Sequence, residues 1–161
     1  MQPMDLSKQW IFKSFIHLMS QQDIRESKLS VRMSEEIHKF EKEFGEKGNL
    51  TLSEIHLIAC IGDFSPINVT SIAEKTGLTK GSITRISKKL LKLALIKRQQ
   101  MNDNKKEVYY ALTSKGQKIY VIHHRIHQEI EERFMNFLDK YTADELIFAS
   151  KFIQDLTEWD Y

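Results

Sequence analysis

Only one cysteine, Cys60, occurs in the 161 residues, so an intramolecular disulfide is excluded. That scarcity fits a reducing compartment. Prolines number two and glycines six, so the chain carries few built-in breaks. Its long stretches rich in Leu, Ile, Lys and Glu then point to a mainly helical fold. No apolar run approaches the roughly 18 residues that cross a bilayer, and the N-terminus lacks a charged-then-apolar signal pattern. A cytoplasmic protein is expected. Neither a glycine-rich phosphate loop nor a nucleophile motif is present, which argues against an enzyme. At this length, with 41% hydrophobic residues, the chain suits one domain of residues 1–161 with a real core.

Net charge is small at +2, but it is unevenly spread. Residues 79–106 hold nine basic side chains against one acid, Asp103, a segment charge of +8 that leaves −6 for the rest. Such asymmetry predicts one cationic surface facing a polyanion.

The apolar pattern divides the chain. Residues 5–20, DLSKQWIFKSFIHLMS, place Leu6, Trp10, Phe12, Phe15, Ile16 and Met19 mostly at helical spacing, with Asp5 or Ser7 available as cap. A second helix is expected from about Ser27 to Phe44, before the loop FGEKGNL. A third follows Thr51 or Ser53 as N-cap and stops near Gly62, ahead of Pro66. Next, Thr70 can cap a short helix that ends at Gly77, and Thr79 can cap another in which Ile83, Ile86, Leu90, Leu91 and Leu93 face the core. Two helices joined by so tight a turn form a helix-turn-helix. LIKRQQM and EVYYALT then read as two strands, with Val108, Tyr110 and Leu112 on one side and NDNKK as their turn. The pattern is a winged helix-turn-helix with a two-stranded β wing, over about residues 50–113.

Residues 114–140 form a long helix with an apolar stripe of Ile119, Ile122, Ile126, Ile130, Phe134 and Phe137, and a last helix follows that Thr142 can cap. The stripe is longer than one small lobe needs. Together with the first helix and the Phe148, Phe152, Leu156 and Trp159 face, it predicts dimerisation helices over about 1–47 and 114–161.

LTLSEIHLI at 50–58, VTSIAEKTGLTKGSITRISKKLLKLALIKR at 69–98 and NDNKKEVYYALTSKG at 102–116, in that order and spacing, resemble the MarR family of bacterial transcription regulators. The resemblance implies a homodimer with intertwined terminal helices and two winged lobes that grip a near-palindromic operator in double-stranded DNA, most often as a repressor. From the residues themselves, a helix starting at Thr79 would aim Lys80, Ser82, Thr84 and Arg85 toward the major groove. Arg85 is the candidate base reader, since a guanidinium can bond a guanine edge bidentately. Lys88, Lys89, Arg98, Lys105 and Lys106 would neutralise phosphates. The family's wing usually carries an acid and an arginine; here Asp103 is the acid, and lysines stand where arginine is usual.

Three of the six histidines crowd into KIYVIHHRIHQEIEERF, residues 118–134. On a helix His123 and His127 are one turn apart on nearly the same face, while His124 points away. Two imidazoles so spaced can share a zinc ion, given further ligands from elsewhere. They can equally be partly buried packing residues. A zinc peptidase helix would need glutamate directly after its first histidine, and residue 124 is His.

The arrangement resembles the zinc-sensing branch of the MarR family, which implies His56 as a further ligand and His38, or Glu41 or Glu35 in its stead, as another. Cys60, one turn beyond His56, is read as a core residue. The alternative effector, implied by other MarR relatives, is a small aromatic or anionic molecule in the same cleft, with no metal. A helical metal-buffering protein that never touches DNA is a second alternative, and oxidation sensing through Cys60 a third. Cys60 lacks neighbouring cations in the sequence to lower its pKa.

Overall fold

The computed structural model describes residues 3–44, 50–100 and 107–159, and at residues 3–5 and 41–44 it describes the backbone alone. Seven helices and three strands lie among the described residues.

Helix α1 (Pro3–Ser20) begins at Pro3, where a fixed φ and a missing N–H cost nothing, so Asp5 and Ser7 fall inside the helix and do not cap it. Only Gln21 separates it from α2 (Gln22–Phe44), which starts well before Ser27 because QDIRE contains no breaker. Helix α3 (Leu52–Phe64) has Thr51 as N-cap in a full capping box: Thr51 Oγ1 accepts the Glu54 N–H, and Glu54 Oε2 accepts the Thr51 N–H at 2.9 Å. Such a cap is worth about 1 kcal/mol.

The third helix does not stop at Gly62. It runs on to Phe64, and the glycine serves a different purpose: a β-carbon there would overlap the ring of Tyr120, whose hydroxyl donates to Asp63 Oδ1 at 2.7 Å.

Strand β1 (Ile67–Asn68) leads directly into α4 (Val69–Thr76). Asn68, not Thr70, is the cap of α4, and its Oδ1 accepts the Ser71 N–H at 2.9 Å. Asn68 has the extended backbone that a cap needs, whereas Thr70 already lies in the first turn. Gly77 closes α4 in the left-handed region at φ 69°, and Thr79 caps α5 (Lys80–Lys92) by accepting the Ser82 N–H at 3.2 Å. Ile83, Ile86 and Leu90 are buried on α5, while Leu91 and Leu93 are only partly so.

Strands β2 (Ile96–Gln99) and β3 (Tyr109–Leu112) pair antiparallel, and β1 joins on the other side of β3 to give the order β1-β3-β2. Tyr110 therefore faces both Ile67 and Arg98 across its two neighbours. As the middle strand, β3 buries consecutive residues, Tyr110 and Ala111, and the expected alternation fails at Val108, which is exposed. Asp103, Lys105 and Lys106 of the wing tip lie outside the described residues.

Helix α6 (Ser114–Leu138) is long, about 37 Å at 1.5 Å per residue, and α7 (Ala143–Thr157) starts at Thr142 in a capping box with Glu145. The chain divides into two compact units, Met1–His123 and His124–Tyr161, with the boundary inside α6. The first unit has its core where α3, α4 and α5 meet, built on Leu57, Ile58, Ile61, Ile72, Ile83 and Leu90. It nonetheless leaves Trp10 of α1 71% exposed. In the second unit α7 buries no residue, and Phe148 is also 71% exposed. Among the described residues no helix is long and apolar enough to cross a membrane.

Candidate functional site

His56 stands one turn into α3, on the side that the apolar residues Ile55, Leu57 and Ile58 leave free, and is exposed. His123 on α6 is half-buried and meets it edge to face, with ring centroids 5.5 Å apart and planes at 84°. Both ring nitrogens of His123 are shielded from solvent. His127 follows on the same continuous helix one turn later, so its position is set by helical geometry from His123. His56, His123 and His127 each offer a nitrogen, and these atoms lie within 4.8 Å of one another.

Two nitrogens on one tetrahedral zinc are about 3.4 Å apart, given Zn–N bonds of about 2.0–2.1 Å. Side-chain rotation of about an ångström would close the set. Burial lowers the His56 pKa, against an opposing effect of the Glu26 carboxylate, and so favours the neutral imidazole that ligates metals. The donor chemistry fits Zn²⁺.

His124 is not part of this group, as its helical position requires. Nor is His38, expected as a further donor. On α2 the buried residues are Met33 and Ile37, and a step of about 100° beyond Ile37 turns His38 onto the exposed face. Glu35 is exposed as well, and the Glu41 side chain is outside the described residues. Cys60 is buried in the core of α3. Burial, then Asp63, push its thiol pKa up; a cation does neighbour it, Lys75, but with a smaller opposing effect.

The second constellation is the outer face of α5. Lys80, Thr84, Arg85 and Lys88 are exposed there, and no acidic side chain occurs in the helix. The hydroxyl of Thr79 donates to Ser82 Oγ at 3.0 Å, and that of Thr84 to the Lys80 carbonyl at 2.8 Å. Both protons are therefore committed locally, and the oxygens remain as acceptors. Arg98 is exposed on β2.

Lys89 differs from its neighbours. Its Nζ donates to Glu54 Oε2 at 2.7 Å, so its charge is engaged within the lobe. Sequence reasoning assigned Lys89 to phosphate and missed Glu54, whose only local signal is its place in the capping box of α3.

The model of the MarR family matches residues 50–108. The HTH-type transcriptional regulator YhjH of Bacillus subtilis is 44% identical over 156 residues, which span 96% of this chain and 89% of that protein. The zinc-responsive MarR family member ZitR of Lactococcus lactis matches the fold with a TM-score of 0.63 at 25% identity, over 70% of this chain and 78% of its own. ZitR in complex with DNA matches with a TM-score of 0.62 at 26% identity, over 70% and 77%.

Proposed function

Because the chain belongs to the MarR family of transcriptional regulators, we propose that it is a cytoplasmic repressor that grips double-stranded DNA as a homodimer and responds to zinc through His56, His123 and His127. The observation that carries the zinc assignment is the convergence of three imidazole nitrogens within 4.8 Å. Likeness to ZitR, described as zinc-responsive and solved with DNA, supports the same reading. A bound ion would supply a fixed cross-link between α3, which leads into the DNA-binding helices, and α6.

The remaining work falls to the chain's own side chains. Arg85 reads a base edge in the major groove, with Thr79, Lys80, Ser82 and Thr84 around it. Lys88 and Arg98 neutralise phosphates, with Lys105 and Lys106 added from the wing tip. The exposed apolar faces around Trp10 and Phe148 support a second copy of the chain as their cover.

If zinc and DNA act through one equilibrium, each strengthens the binding of the other by the same factor. The test is fluorescence anisotropy of a duplex that the protein itself selects from a random-sequence library, with zinc and then with chelator. Tighter binding with zinc is the expected result. An affinity indifferent to both additions would sink the zinc switch and leave DNA binding standing.

A further inference from the structure

Among the described residues Glu54 is the one charged side chain that is buried, at 7% exposure. A single oxygen of its carboxylate, Oε2, accepts the Thr51 N–H at 2.9 Å and accepts from Lys89 Nζ at 2.7 Å. The first bond holds the start of α3. The second reaches 35 residues along the chain to the last turn of α5. A buried carboxylate without a cation is costly, so the Lys89 ammonium is drawn inward although its side chain starts on the flank of the helix that also carries Ser82 and Arg85.

The apolar anchors of α5, Ile83, Ile86 and Leu90, lie along one narrow stripe. Such a stripe fixes the helix against the core yet permits rocking about its own axis. Rocking by about 20° would move a side chain at a radius of about 5–6 Å by roughly 2 Å, enough to spoil a bidentate base contact. A charge-assisted bond placed off the stripe blocks that rotation.

We infer that Glu54 and Lys89 are positioning residues for DNA recognition: the pair fixes the rotation of α5 on α3, and Lys89 supplies alignment and not phosphate neutralisation. The inference rests on the DNA-binding reading above.

The experiment uses the full chain, a duplex selected from a random-sequence library and a scrambled duplex of the same length, with anisotropy measured across a range of salt. Glu54→Gln keeps an oxygen for the Thr51 N–H and loses the charge, whereas Lys89→Met keeps the stem and loses the ammonium. Each should bind the selected duplex about tenfold more weakly. Their affinity for the scrambled duplex and the slope of log affinity against log salt should stay at the wild-type values. Lys89→Arg should bind as the wild type does. As a calibration, Lys88→Ala should lower the slope by about 0.9.

Two results overturn the inference alone. In one, Lys89→Met loses about 0.9 of slope and Glu54→Gln binds as tightly as wild type or more tightly, which makes Lys89 a phosphate ligand that Glu54 restrains. In the other, both variants weaken in equal proportion on both duplexes, the signature of a smaller folded fraction. A wild-type chain that selects no duplex overturns the DNA reading itself, and this inference with it.

Discussion

The His56 and His123 rings meet edge to face, with centroids 5.5 Å apart, although α3 and α6 are separated in the chain by the whole helix-turn-helix and wing. Their meeting turns two distant imidazoles and His127 into one donor set. Alanine at His56, His123 or His127 should each weaken zinc binding by more than the roughly 100-fold that loss of an outer hydrogen-bond partner of a ligand costs. Alanine at His124 or His38 should leave it unchanged. Competition with a chromophoric chelator measures all five.

The exposed aromatic face of α7 leads to a prediction about mass. Phe148 stacks on Phe152 with centroids 6.4 Å apart, yet remains mostly open to water. Phe148→Asp would bring a charge into the surface assigned to the second copy, and light scattering should report monomers where the wild type gives dimers. A variant that stays dimeric would move the interface elsewhere.

Thr51→Ala removes the hydroxyl that accepts the Glu54 N–H and leaves the return bond from Glu54 in place. A loss of about 1 kcal/mol is expected. For a chain of this length that corresponds to a melting temperature lower by about 2–4 °C.

Gly116 opens α6 against backbone, since a β-carbon there would overlap the Leu95 carbonyl oxygen. That oxygen already accepts from the Thr113 N–H at 3.1 Å, so it cannot withdraw cheaply. Gly116→Ala should cost about 2–3 kcal/mol. Gly77→Ala meets no neighbour and should cost about 1–2 kcal/mol, from the left-handed backbone alone. Urea titrations that gave the reverse order would contradict the close approach at Gly116.

Cys60 is buried with a raised thiol pKa, so little thiolate forms near neutral pH. The folded protein should resist iodoacetamide at pH 7 and react once unfolded. Reactivity would increase as pH rises toward the raised pKa. Rapid alkylation of the native chain would reopen oxidation sensing.

Much of the fold is visible in local sequence. Thr51, Thr79 and Thr142 announce helix starts, Gly77 announces a stop, and the Ile83, Ile86 and Leu90 spacing identifies the buried side of α5. Misreadings fall where a local signal had two meanings. Gly62 looks like a terminator and is a clearance for Tyr120. Thr70 looks like a cap, but Asn68 two residues earlier takes that place at the end of a strand too short to leave a pattern.

The functional residues divide the same way. His123 and His127 are paired by helical spacing, and His56 joined them only through resemblance to a family. The bond between Glu54 and Lys89 had no signature, because a polar contact between two helices far apart in sequence imposes no periodicity on either.

The strand β1, only two residues long, ties the wing to the helix-turn-helix by holding β3 from the side opposite β2. With Tyr110 matched to Ile67 on one side and to Arg98 on the other, deleting Ala111 or Leu112 would turn the tyrosine outward and break both registers at once. A change of length between β2 and β3 is therefore compatible with both registers only outside the paired residues 96–99 and 109–112. Such a change leaves the helices on either side of the hairpin in register with their strands.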